Sequence, residues 1–263
     1  MSRIRVISLY SGSVGNAFVV STPGATVLID AGKNAKHLCM ALGEVGISPD
    51  TLDAILITHE HSDHVSALPV FHKKHPLPVH IQAASAYRLA NDPAVAPCLC
   101  LHPPIFTERF GDLRITSFPT PHDSRGSVGY RLELMDGDTV LDRVGYATDI
   151  GYVSKDVEEG LVGCSTVILE SNHDPDMLMN GPYPYDLKLR IASRRGHLSN
   201  PDSACLAARL CECGTKRLML AHLSQENNTP DTAYDACVSA VGRADICIAV
   251  AQPDATTELE WEI

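Results

Sequence analysis

The run ILITHEHSDH, residues 55–64, sets His59, His61 and His64 beside Glu60 and Asp63, directly after an apolar stretch. Imidazole nitrogens and carboxylate oxygens are the usual donors to divalent first-row metals. On a helix His59 and His61 would project about 200° apart. On extended backbone, residues two apart share a side. The pair is therefore read as lying on an extended or loop segment, with Asp63 and His64 opening the next helix. Such a group offers two imidazoles to one point and an Asp–His pair to a neighbouring point, a ligand set for two ions. With no histidine at position 63, the helical H-E-x-x-H pattern of zinc proteases is excluded.

Two ions need more ligands, and ligands in α/β sheets collect at the carboxyl ends of strands. His122 follows the apolar run LRITSFP, Asp149 closes VGYATD, and His222 closes LMLAH. The order His59-x-His61-x-Asp63-His64, His122, Asp149, His222 resembles the metallo-β-lactamase superfamily. Asp30, ending VLIDAG, matches the acid that supports the metal loop in that superfamily. YSGSVGN, ESNHD, GPYPYDLKLRIASRRGHLSN and AHLSQENN narrow the likeness to its YycJ/WalJ-like branch of metal-dependent nucleases.

The resemblance implies an α/β fold of the four-layer αββα sandwich type. It implies one metal site of His59, His61 and His122, a second of Asp63, His64 and His222, and Asp149 bridging them. Two divalent ions, Zn2+ or Mn2+, would activate a bridging water, with Asp63 also orienting that water. The implied activity is phosphodiester hydrolysis, most concretely a 5′→3′ exonuclease on duplex DNA. The competing reading is hydrolysis of a small carbonyl substrate, a thioester, lactone or β-lactam. The same ions would serve it, and β-lactam cleavage could persist as a side activity.

Around these ligands stand further candidates. His197, in RRGHLSN, could protonate the leaving oxygen, like the non-ligand histidine of tRNase Z enzymes. Lys188, Arg190, Arg194 and Arg195 form the one local basic concentration, and arginine forks match phosphate. Asn172 and His173 are read as lining the substrate side. Ser11 to Asn16 reads either as a cradle of backbone N–H groups or as a plain turn. His37, His72, His75, His80 and His102 carry no pattern.

The elements that must position these residues alternate. Strands are expected over 4–10, 17–22, 25–30, 52–58, 113–119, 127–134, 140–149, 165–171 and 216–224, with a last buried strand over 245–251. Helices are expected over 36–46, over 65–75 either interrupted or started late by Pro69, over 201–213 with Asn200 as cap, and over 230–241. No linker or repeat divides the chain, so one domain is expected over 1–263, with no room for a large insertion between Asp149 and His197. The formal net charge of −11 argues against a broad basic face. No apolar run is long enough for a membrane span, and the first residues lack a signal-peptide core, which points to the cytoplasm. Nine scattered cysteines are expected to be reduced and mostly buried.

Overall fold

Apolar side chains alternate along short extended runs, and each run must cover both of its faces. The structure, a computed structural model, describes residues 3–263. Its strands are β1 (Arg3–Tyr10), β2 (Ala17–Ser21), β3 (Thr26–Ile29), β4 (Ala54–Ile57), β5 (Val79–Gln82), β6 (Leu99–His102), β7 (Thr107–Phe110), β8 (Leu113–Pro119), β9 (Val128–Asp136), β10 (Thr139–Ala147), β11 (Thr166–Glu170), β12 (Arg217–Ala221), β13 (Cys247–Val250) and β14 (Thr257–Glu262). Helices are α1 (Ala35–Glu44), α2 (Ser62–Val65), α3 (Leu68–Phe71), α4 (Lys155–Leu161), α5 (Pro175–Asn180), α6 (Tyr185–Ile191), α7 (Asn200–Glu212) and α8 (Pro230–Val241). One sheet runs β14-β1-β2-β3-β4-β5-β6 and the other β13-β12-β11-β10-β9-β8-β7.

Strand β4 shows why the layers form. Ile55 and Ile57 pack with Leu38, Leu42 and Phe71 of the outer helices, while Leu56 joins the core between the sheets. In that central core Phe18 and Ile29 meet Tyr130, Leu132 and Tyr146. On the far side, Val167, Leu169 and Leu220 pack with Leu206 and Leu210 of α7 and Cys237 of α8. The result is helix–sheet–sheet–helix, the expected αββα sandwich. Strands β3 to β6 are parallel, as are β10 to β13. Their carboxyl ends therefore collect along one edge of each sheet. No helix among the described residues is long and apolar enough to cross a membrane.

Several expectations need correction. The helix expected after Asn200 is capped by Ser199, whose side chain accepts from the Asp202 N–H at 3.3 Å. Asn200 is the first helical residue, and its buried amide bonds Ser171 and Asn228 instead. Strand β13 is a half-exposed edge, not a buried strand. A further strand, β14, pairs antiparallel with β1 and was missed, although Leu259 and Trp261 alternate with glutamates in TELEWE. All nine cysteines are free, but Cys205, Cys213 and Cys247 are exposed, lying on α7, just past it and at the β13 edge.

Glu133 on β9 lies between Arg114 of β8 and Arg143 of β10, directly across both ladders. Its carboxylate meets them at 2.7 and 3.0 Å. Burial opposes its charge, yet the two guanidiniums outweigh this and hold Glu133 below the usual carboxylate range. A depressed folded-state pKa contributes stability that is full above the ordinary value of 4.5 and is lost as pH falls below it. Glu133→Gln is expected to cost about 1 kcal/mol at neutral pH and to flatten the acid limb of a Tm-against-pH curve. An unchanged acid limb would show that the triplet contributes nothing.

Candidate metal centre

The site is built from strand ends. Asp30 follows β3, Thr58 and His59 follow β4, Asp149 follows β10, Glu170 ends β11, and His222 follows β12. Asp30, Asp149 and His222 have φ of 60°, 57° and 57°. Non-glycine residues rarely occupy this left-handed region, and such strain concentrates at functional sites. The left-handed backbone redirects the chain just past each strand.

Around these turns the expected ligands converge. His59 Nε2 lies 3.0 Å from His61 Nδ1, and His122 Nε2 lies 3.3 Å from the same atom. His64 Nε2 and His222 Nε2 approach Asp63 Oδ2 at 3.2 and 3.5 Å. Asp149 lies between the two groups, 3.3 Å from His64, 3.6 Å from His222 and 3.7 Å from His122. His59, His61 and His122 can hold one ion, and Asp63, His64 and His222 another.

Hydrogen bonds behind the rings decide which nitrogen faces inward. His64 Nδ1 donates to Asp30 Oδ2 at 2.7 Å, His122 Nδ1 to the Gly196 carbonyl at 3.1 Å, and His222 Nδ1 to Glu170 Oε1 at 3.2 Å. Thr58 Oγ1 donates to Asp30 and accepts from His59 Nδ1 at 3.0 Å. Each of these four imidazoles thus turns an Nε2 lone pair toward the centre, the arrangement that orients ligand histidines on a metal. His222 Nε2 and Asp149 Oδ2 are buried with no hydrogen-bond partner. Buried ligand-type atoms left without partners fit a cation.

Charge supports the same conclusion. Burial opposes ionisation of His64, but Asp63, Asp30 and Asp149 outweigh it and raise its pKa well above the usual value. His222 behaves likewise: burial opposes, while Asp149, Asp63 and Glu170 raise it to about 10. Burial also opposes the charge on Glu170, yet His197 and His222 bring it down to about 2. Buried carboxylates here demand positive charge, whether from protons or from ions.

Glycines permit the close approaches. A Cβ on Gly32 would lie 1.9 Å from the Asp63 carbonyl oxygen. One on Gly151 would lie 2.2 Å from the Arg194 carbonyl, so this glycine lets the 193–196 segment cross beside Asp149.

Other expected residues fare differently. His197 reaches the site: its Nδ1 donates to Glu170 Oε1 at 2.7 Å and lies 3.6 Å from Asp149. Asn172 borders a cavity, and its amide donates to the His222 carbonyl at 2.8 Å. His173 is buried behind it and lines neither cavity at the centre. Arg194 and Arg195 border a second cavity beside His122. Lys188 is buried on the Met179 carbonyl, and Arg190 pairs with Asp123, so the basic run splits. Ser11–Asn16 braces the site: Ser11 Oγ accepts from the His222 N–H at 2.8 Å, the Asn16 N–H donates to the Asp63 carbonyl at 2.8 Å, and Gly12 and Gly15 spend their N–H groups within the segment. His80 and His102, read as patternless, meet through His80 Nδ1 and His102 Nε2 at 3.0 Å, with near-parallel rings.

Glu170 was missed. It anchors His197 and His222 and accepts the N–H groups of Ile150 and Leu198 at 2.7 and 3.1 Å. Its signal was position: it ends the apolar run TVILE, as Asp149 and His222 follow theirs. Thr58 and Asp123 carried no signal, because a hydroxyl or carboxylate beside a ligand is common on any loop.

The model of the β-lactamase superfamily domain matches residues 25–223. The chain belongs to the β-lactamase superfamily and is a metal-dependent hydrolase. Within it the chain sits in the WalJ/YycJ-like branch. It is 35% identical over 95% of both chains to the exodeoxyribonuclease WalJ of Streptococcus pneumoniae serotype 2 (strain D39 / NCTC 7466). It is 34% identical to the exodeoxyribonuclease YycJ of Bacillus anthracis, covering 86% of this chain and 84% of that one. The fold is shared with the metallo-β-lactamase fold protein YhfI of Bacillus subtilis, at a TM-score of 0.73 and 17% identity over 98% of this chain and 100% of that one.

Removing the partner behind His222 and His197 should loosen bound metal without unfolding the sheets. Glu170→Gln is expected to weaken ion affinity about 10- to 100-fold, read by competition with a chromophoric chelator. Affinity equal to wild type would limit Glu170 to a structural role.

Proposed function

We propose that the chain is a dinuclear phosphodiesterase, a 5′→3′ exonuclease on DNA, carried by a single domain. The observation that carries this reading is the pair of imidazole-rich ligand groups sharing Asp149. The DNA substrate is supported by the names of the two relatives, both exodeoxyribonucleases. His59, His61 and His122 would hold one divalent ion, Asp63, His64 and His222 the other, with Asp149 between them. Zn2+ suits the imidazoles and Mn2+ the mixed nitrogen and oxygen set. Such ions, when bound, supply Lewis acidity that makes water nucleophilic near neutral pH and offsets charge on the phosphate.

The side chains do the rest. Asp63, at the mouth between the two groups, orients the attacking water and takes its proton. Arg194 and Arg195 receive the substrate's phosphates, and Asn172 borders the cleft. The new P–O bond to water forms as the P–O3′ bond breaks. His197, held through Nδ1 by Glu170, presents Nε2 to the cleft and delivers a proton to O3′. The nucleotide bearing that O3′ lies on the His197 side, so successive turnovers release nucleotides from the 5′ end and leave a 5′-phosphate.

Digestion of 5′-phosphorylated linear duplex DNA by Zn2+-loaded and Mn2+-loaded protein tests the reading, with Asp63→Ala as control. Wild type is expected to release nucleotides and the control none; no release with either ion overturns the assignment. His197→Ala is expected to lower kcat about 10²- to 10⁴-fold with ion content unchanged. Loss of an ion would make His197 a ligand of the Asp149, Glu170 and His222 group instead.

A further inference from the structure

Two cavities of different chemistry flank the centre. One, of about 350 Å3, is bounded by Tyr183, Leu187 and Ile191 on its apolar side and by Ser13, Asn172 and His197 on its polar side. The other, of about 500 Å3, opens beside His122 and is bordered by Arg125, Tyr152, Arg194 and Arg195. His122 and Asp123, 3.3 Å apart at His122 Nε2, separate them.

The arginines of the second cavity lack the carboxylate that several other arginines of this chain have. Arg114, Arg143, Arg190 and Arg243 are each paired with a carboxylate. Arg125, Arg194 and Arg195 are exposed, and among the described residues none of their guanidiniums pairs with a carboxylate. Arg125 lies over the Tyr87 ring at 3.9 Å and Arg194 over the Tyr152 ring at 4.0 Å. Arg195 Nη2 approaches the His122 carbonyl at 3.5 Å. An aromatic face fixes a guanidinium without neutralising it. In a chain of net charge −11, three such cations along one groove are a local site for a polyanion.

The first cavity differs in that its one arginine, Arg190, is neutralised by Asp123. Its volume lies at the low end of small-ligand sites, about 300–1,000 Å3, enough for one nucleoside. Tyr183 offers a stacking face, and base–aromatic stacking tolerates any sequence.

We propose that the substrate lies across the centre with its terminal nucleoside in the Tyr183 cavity and the phosphates of the retained strand along Arg125, Arg194 and Arg195. This rests on the nuclease reading above and adds the division of labour. The small cavity admits one residue at a time, which makes cleavage exonucleolytic, and the arginine groove grips the polymer without reading its bases.

Steady-state kinetics of the ion-loaded enzyme on a dinucleotide and on a long duplex, over a range of salt, separate the two sides. Arg125→Gln and Arg194→Gln are expected to raise KM on the long duplex and to leave KM on the dinucleotide nearly unchanged. Each should also reduce the slope of log KM against log salt by about one. Both side chains are exposed, so the variants should fold. Tyr183→Ala is expected to raise KM about tenfold on both substrates alike, and Tyr183→Phe to restore it. Salt slopes unchanged in both arginine variants, with wild type digesting DNA, overturn the groove assignment and leave the nuclease reading intact. A Tyr183→Ala effect confined to the duplex overturns the nucleoside pocket. Wild type that releases no nucleotide removes the reading on which both assignments stand.

Discussion

The centre depends on the protons held behind the imidazoles. A neutral histidine has one N–H and one lone pair, and only the lone pair binds a cation. Asp30, Thr58, Gly196 and Glu170 each take the Nδ1 proton of one ring, and so each Nε2 is committed to the interior. Without those acceptors the rings would be free to flip, and the two groups would no longer converge. The acceptors come from both sheets, so the ligand geometry is inherited from the sandwich and not from any one loop.

The sandwich in turn explains why residues so far apart in sequence meet. Parallel strands deliver their carboxyl ends to one edge, and a left-handed turn at Asp30, Asp149 and His222 holds each side chain there. Gly32 and Gly151 remove the side chains that would keep the neighbouring loops apart. Tyr130 links the sheets directly behind the site, its buried hydroxyl donating to the Ile57 carbonyl at 2.6 Å.

Much of this was legible in the sequence. The converging histidines and aspartates could be read because metal binding restricts residue type and spacing, and strand ends restrict position. The strands could be read because burial on two faces leaves continuous apolar runs. What could not be read was pairing across space. Lys188 and Arg190 look alike in a basic run, yet one bonds a carbonyl inside and the other an aspartate. Ser199 and Asn200 are both good caps, and only the buried partners of Asn200 decide between them. The stretch between 76 and 112 holds short strands and 3-10 turns, too brief for a period to show. Arg125 stands alone in sequence and joins Arg194 and Arg195 only through the fold.

The segment 193–197 faces two ways. Its carbonyl at Gly196 holds His122, and its ring at His197 shares Glu170 with His222, while Arg194 and Arg195 face the groove. One short piece of backbone therefore touches a histidine from each ligand group and the surface where substrate would lie. Any displacement of this segment on substrate binding changes the acceptors of both rings together. Thermodynamic reciprocity would then make the coupling mutual: a substrate that steadied the segment would tighten bound metal, and bound metal would tighten the substrate by the same factor.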